Sequence, residues 1–180
     1  MLLGEVLALH WSDINFKSKD LYVQKTLAKV NNKYILQPPK TRESYRWLNI
    51  DEITIQLLKE WKREQVNQYK EYGFEVAEDK NQPIFATYHT RLNQMKYMHV
   101  STPNDKLETF FNRHKDLHKI HVHGFRHTHA SLLFESGAKL KEVQSRLGHS
   151  DIKTTMDIYT HITQSSKEKL AEGFHKYIDF

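Results

Sequence analysis

The stretch that decides the fold runs from His121 to Tyr159. It opens His121-Val-His-Gly-Phe-Arg-His-Thr-His-Ala-Ser-Leu-Leu133 and closes Leu147-Gly-His-Ser-Asp-Ile-Lys-Thr-Thr-Met-Asp-Ile-Tyr159. The opening half predicts a helix that begins near Gly124, carries Phe125, Leu132 and Leu133 on one side, and stops at Gly137. The closing half predicts a second helix after Ser150, a suitable N-cap. On it Ile152, Thr155, Met156 and Tyr159 fall at i, i+3, i+4 and i+7 and are expected to share one face. Between the two, Leu140, Val143 and Leu147 mark a short helix that Gly148 ends. Rigid elements therefore project an arginine, several histidines and a tyrosine.

Those residue types suit a site acting on a phosphate diester. Its cleavage passes through a highly negative pentavalent state, which fixed cationic donors stabilise. Arginine offers a planar fork for phosphate oxygens. Histidine donates a hydrogen bond or moves a proton near neutral pH. Tyrosine can attack phosphorus and hold it as a phosphotyrosine, provided nearby cations or a base favour its ionised form. Taken singly, each residue has a plainer reading: Tyr159 as a core tyrosine, Arg126 as a salt-bridged surface arginine, His149 as a helix-end residue. His121, His123, His127 and His129 could suggest a metal. Against that reading there is no cysteine, no His-Glu-x-x-His and no carboxylate inside the cluster.

The residues together resemble the tyrosine recombinases, the phage integrase family. His123-Gly-Phe-Arg126 resembles that family's His-x-x-Arg box. Leu147-Gly148-His149-Ser150 resembles its second box, and Tyr159, ten residues after His149, stands where its nucleophile would be. Lys40 in Pro38-Pro39-Lys40-Thr41 resembles the lysine of its β-hairpin, and Leu3-Gly4-Glu5-Val6-Leu7 resembles its first box. The resemblance covers nearly the whole chain, and four boxes in order are far more specific than any one.

The resemblance implies an α+β fold, mainly α, with a small antiparallel sheet on one side. It implies site-specific cleavage and rejoining of double-stranded DNA through a 3′-phosphotyrosine, without cofactor or metal. Tyr159 would be the nucleophile; Arg126, His123 and His149 would clamp the phosphoryl oxygens. Lys40 would give a proton to the departing 5′ oxygen, and Glu5 would orient the site. The family's first box normally reads Arg-x-x-Glu, and aligning on Glu5 puts Leu2 in the arginine slot, which suggests an impaired enzyme. The partners implied are double-stranded DNA and further copies of the chain, as a tetramer on DNA that is weakly associated or monomeric without it. Two rival readings belong to other classes, a DNA-binding integrase remnant without catalysis and a His-metal nuclease.

Bulk properties bound these readings. The chain has 180 residues, which suggests one domain. Hydrophobic residues make up 38% and charged residues 27%, as in soluble globular proteins. A net charge of +5 and a pI near 9.2 permit a polyanionic partner. No cysteine means no disulfide framework, and no apolar run suggests a membrane span, so a cytoplasmic location is expected.

The N-terminus is abrupt: Leu2, Val6 and Leu9 read as helix interior, so residues 1–180 are expected to be the catalytic domain of a larger protein with DNA-binding segments upstream. From Asp13 to Ile50 the chain predicts one antiparallel sheet. Its strands are read around Ile14 and Phe16, Leu21 and Val23, Tyr34 to Leu36, and Tyr45 to Leu48, with turns at Lys17–Asp20 and Asn31-Asn32. Asp51 should cap a long helix, continuing to Gly73, that buries Thr54, Leu57, Leu58 and Trp61. Residues 74–106 read as irregular apart from a strand at Pro83 to Phe85, with Arg91 and Lys96 as possible DNA-backbone contacts. A helix carrying Leu107, Phe110 and Phe111 should start near Asn104. In the tail, Ser165 to Glu168 has a capping-box pattern and Leu170, Phe174 and Ile178 form an apolar stripe that would dock on its own domain or a neighbour.

Overall fold

The computed structural model describes residues 1–31 and 33–164, of residues 161–164 the backbone only. The tail expectation for Leu170, Phe174 and Ile178 lies outside the described residues.

A short helix, α1 (Leu3–Leu7), is followed by a 3-10 turn at Trp11–Asp13 and strand β1 (Ile14–Asn15). The sequence predicts one sheet; the structure has a sheet and two separate hairpins. β2 (Asp20–Val23) pairs antiparallel with β1 and with β5 (Arg46–Asn49), in the register Leu21 opposite Leu48 and Val23 opposite Arg46. β3 (Thr26–Val30) and β4 (Lys33–Gln37) form a hairpin of their own. The chain breaks at Gln24 and Lys25 because both side chains bond to buried groups of the preceding turn. Gln24 donates to Asp13 Oδ1 at 3.0 Å, and Lys25 pairs with Asp13 Oδ2 at 2.8 Å. A continuous second strand could not make both contacts.

The second hairpin, β6 (Ala86–His89) with β7 (Gln94–Tyr97), occupies part of the stretch read as irregular. The strand expected at Pro83 to Phe85 reduces to an isolated bridge between Pro83 and His10. Asn93 sits at φ 45°, a left-handed turn position that asparagine tolerates, and it was the overlooked turn signal.

Helix α2 (Glu52–Glu71) starts as expected, with Asp51 Oδ1 accepting the Thr54 N–H at 2.9 Å. Its buried residues are Ile55, Gln65 and Tyr69, with Leu58 and Trp61 half-buried; Leu57 is 59% exposed, against expectation. The phase is set by hydrogen bonds. The Gln65 amide donates to the Pro83 and Ile84 carbonyls, its oxygen accepts from Trp11 Nε1 at 2.8 Å, and the Trp61 indole donates to Ile84 O. A buried amide so fully bonded outweighs one exposed leucine.

α3 (Thr102–Arg113) begins two residues earlier than predicted and has a proline in its first turn. Then come α4 (Val122–Glu135), α5 (Leu140–Leu147) and α6 (Ile152–Gln164). These last three pack round Ala130, Phe134, Val143 and Leu147. A second core of Leu9, Trp11, Ile14, Leu21, Val23, Ile55 and Ile84 joins the sheet to α2.

The expected face of α4 is corrected: it buries Arg126, Ala130 and Phe134 and leaves Phe125 and Leu132 more than half exposed. Of the expected α6 face, Thr155 is buried and Met156 and Tyr159 are 51% and 44% exposed. Asp151, not Ser150, caps α6, its Oδ1 accepting the Lys153 N–H at 2.8 Å. Among the described residues no helix is long and apolar enough to cross a membrane.

Candidate active site

A cleft of about 360 Å³ lies where α1, the loop after β4, the start of α4 and the α5–α6 corner meet. Leu2, Glu5, Lys40, His123, Arg126 and His149 all line it. Residues far apart in sequence thus converge on one place. Larger hollows exist: one of about 840 Å³ beside Tyr34, Tyr69 and Tyr88 holds none of the predicted site residues, and one of about 900 Å³ beside Leu107 and Phe110 shares only His123 and Arg126 with them.

Each wall has a local cause. Gly148 ends α5 at φ 70°, a left-handed C-cap that turns the chain so that His149 comes back over the end of the helix. His149 Nδ1 lies 2.8 Å from the hydroxyl of fully buried Thr155, which leaves Nε2 for a second partner. Sequence reasoning placed Thr155 on an apolar face and missed this role; a threonine one helical turn into α6 was the available signal. Lys40 projects from the loop between β4 and β5 and is exposed. His123 and His127, one turn apart on α4, meet edge to face at 4.8 Å.

Arg126 is the most informative side chain. It is 8% exposed, its Nη2 donates to Leu147 O at 2.6 Å, and its Nη1 is buried without a hydrogen-bond acceptor among the described residues. A buried unpaired guanidinium nitrogen is costly unless an anion completes it.

Arg46, which sequence reasoning missed, is equally buried and grips Glu5 with its fork. Nη1 donates to Oε1 at 3.1 Å and Nη2 to Oε2 at 2.9 Å. The signal was register: counting back two from inward-facing Leu48 puts Arg46 inside, and a charge there requires a partner.

The electrostatics follow from burial and these two guanidiniums. Burial, then Arg126 and Arg46, push the His149 imidazole down to about 4, so it is neutral at neutral pH. His123 is lowered in the same direction by burial, then by His127 and Arg126. For Glu5, burial alone would raise the carboxyl. The Arg46 hydrogen bonds, the Leu2 N–H at 2.7 Å and attraction to Arg46 outweigh it, so the group stays ionised.

A pH prediction follows. The unfolded chain binds a proton at His149 below its ordinary value of 6.5, whereas the folded chain does so only near 4. Protons therefore favour the unfolded state between those values, and this contribution to stability should be lost as pH falls from about 6.5 to 4. Denaturant unfolding across that range checks it: the fall should be smaller in His149→Asn, and an equal fall in both proteins would contradict it.

Tyr159 stands apart. Its ring packs edge-on against Phe134 at 5.1 Å, it is 44% exposed, and it is not among the cleft-lining residues, although its neighbour Ile158 is. Of the predicted set, the structure thus unites Glu5, Lys40, His123, Arg126 and His149 and leaves Tyr159 beside them. Among the described residues no three His, Asp or Glu side chains converge so as to hold a metal ion.

Comparison with known proteins decides the family. The model of the phage integrase family matches residues 1–166. The chain belongs to the phage integrase family. This phage integrase-family chain is 30% identical over 174 residues to the ICEBs1 integrase of Bacillus subtilis, covering 94% of the chain and 44% of that protein. It is 34% identical over 183 residues to a tyrosine recombinase XerC-like protein of Caldanaerobacter subterraneus, with the same coverage of each. The chain thus spans about half the length of the curated relatives it matches. In fold it resembles the Tn1549 transposon integrase, solved in complex with transposon right end DNA. The TM-score is 0.70 at 19% identity, over 95% of this chain and 55% of that one. The crystal structure of XerA recombinase matches with a TM-score of 0.65 at 18% identity, over 99% and 53%. The integrase-family fold expected from the four boxes is therefore present, small antiparallel strands included.

Proposed function

We propose that this chain is the catalytic domain of a site-specific DNA recombinase that cleaves and rejoins double-stranded DNA through a 3′-phosphotyrosine. The implied role is integration or excision of a phage or other mobile element. The observation that carries the reading is Arg126 Nη1, buried and without an acceptor among the described residues, on a side chain that lines a cleft with Lys40, His123 and His149. A phosphodiester oxygen is the anion that such a donor set fits. Solved integrase–DNA complexes with the same fold and curated relatives named integrase support the substrate class.

In this reading the Tyr159 oxygen attacks phosphorus, forming the P–O bond to the ring while the bond to the 5′ oxygen breaks. The phenolic proton passes to a neutral imidazole of the cleft, and Lys40 supplies a proton to the departing 5′ oxygen. Bond energy is kept in the protein–DNA link, so no nucleotide or metal is needed. Assembly on DNA as a homo-tetramer and a cytoplasmic location belong to the same proposal.

Leu2 favours a second reading, an impaired integrase that binds DNA and cleaves it slowly. A nicked DNA substrate that traps a covalent adduct tests the recombinase reading. Adduct formation in the presence of chelator is expected; its absence at every protein concentration would contradict catalysis by this chain. Adduct chemistry also tests Lys40. Lys40→Ala should slow cleavage of ordinary DNA by about 10²-fold, and a 5′-bridging phosphorothiolate, whose leaving group needs no proton, should recover most of the rate. Equal defects on both substrates would assign Lys40 to binding instead.

A further inference from the structure

Arg46 lies on none of the sequence boxes, yet it touches more of the site's framework than any residue in them. Its side chain is 5% exposed. Nε donates to Arg146 O at 2.9 Å, Nη1 to Ser44 O at 2.8 Å and to Glu5 Oε1, and Nη2 to Glu5 Oε2. Those acceptors belong to α5, to the turn that closes the Lys40 loop, and to α1. Residues separated by up to 100 positions are thus tied through one planar group.

Two guanidiniums serve the end of α5 together. Arg46 takes the carbonyl of Arg146 and Arg126 takes that of Leu147. These are among the last carbonyls of the helix, which have no partner within it and carry its negative dipole end. Gly148 follows directly, and a Cβ there would lie 2.7 Å from Arg46 Nη1. The Arg46 guanidinium therefore rests against Gly148, and His149 leaves from that point. With its fork occupied by Glu5, Arg46 is not itself placed to take a phosphate.

A buried ion pair contributes little net stability once desolvation is counted. What this one does supply is fixed geometry. We propose that Arg46, held by Glu5, is the positioning residue of the cleft: it locks the α5–α6 corner so that Arg126 and His149 point at one phosphate. The catalytic part of this proposal rests on the recombinase reading.

Three variants test it. Arg46→Lys keeps the charge without the fork. Arg46→Met removes the charge but leaves Glu5 uncompensated, which endangers folding. Glu5→Gln with Arg46→Met removes both charges of the pair and nearly keeps the volume, so it is expected to fold, as circular dichroism and thermal unfolding would verify. In the folded double variant, the dissociation constant for nicked DNA should stay within about threefold. The rate of adduct formation should fall about 10²-fold, the usual cost of misplacing a reacting group by an ångström. Arg46→Lys should lie between, about 10-fold down. By NMR, the His149 imidazole, faced by Arg126, Arg46 and His127, should titrate above its parent midpoint of about 4 once the Arg46 charge is gone. Arg46→Lys keeps the charge, so a shifted His149 midpoint in that variant reports a displaced ring and not merely a lost charge. A folded double variant that forms adduct at the parent's rate overturns the proposal. A parent that forms no adduct overturns the recombinase reading instead; the His149 midpoint in Arg46→Lys then judges Arg46 alone, and an unchanged midpoint there overturns its role.

Discussion

Replacing Tyr159 with Phe is expected to abolish the covalent protein–DNA adduct while leaving the fold in place. The ring stays, and with it the edge-on contact to Phe134 at 5.1 Å. Only the oxygen is lost, and no other hydroxyl is proposed as nucleophile. Removing the nucleophile in covalent catalysis costs on the order of 10⁴-fold or more, because the intermediate cannot form. DNA affinity should change little, since it comes mainly from phosphate contacts made by cations. Incubating both proteins with one nicked substrate, and resolving adduct from free protein in denaturing gels, makes the comparison. An adduct persisting in Tyr159→Phe would transfer the nucleophile to another residue and dissolve the proposed mechanism.

The second large effect is a gain. Leu2 lines the cleft beside Arg126 and is 45% exposed. A leucine there donates nothing to a phosphate oxygen. Its backbone N–H, not its side chain, holds Glu5, donating to Oε2 at 2.7 Å. An arginine side chain at this position would therefore leave that contact intact. Glu5 is already bound at both oxygens by Arg46, so it would not capture the new guanidinium. Leu2→Arg should raise the rate of adduct formation by about 10²–10³-fold, the worth of one preorganised donor to a charged transition state. Because arginines sharing one phosphate act together, the gain could exceed that range. The measurement compares both proteins on the same nicked DNA at one salt concentration. Equal rates would mean that Leu2 does not occupy the arginine slot, or that a cation already present serves it.

Much of this was legible in the sequence. Among the described residues each expected helix exists, because apolar spacing, the Asp51 cap and the Gly148 stop are local properties that neighbours within a few residues decide. The boxes named Glu5, Lys40, His123, Arg126 and His149, and the fold brings all five to one cleft. Residue type and order carried that information.

What the sequence did not decide was phase and closure. In α2 and α4 the expected apolar face was wrong in the same way. Gln65 and Arg126 are buried, while Leu57 and Leu132 are exposed. Periodicity counts apolar side chains and gives a polar one no weight at the core. A polar group wins that position when a distant partner satisfies it: the Ile84 carbonyl for Gln65, the Leu147 carbonyl for Arg126, the His149 ring for Thr155. The split of the sheet at Gln24 and Lys25, and the Arg46–Glu5 pair, have the same origin. From the sequence alone came the elements, their order and the chemical groups they carry, because these follow from short-range geometry. Which face of each helix turns inward, and which buried charge meets which, only the tertiary structure decided, because those choices depend on hydrogen-bond partners in other elements, 6 to 41 residues away along the chain.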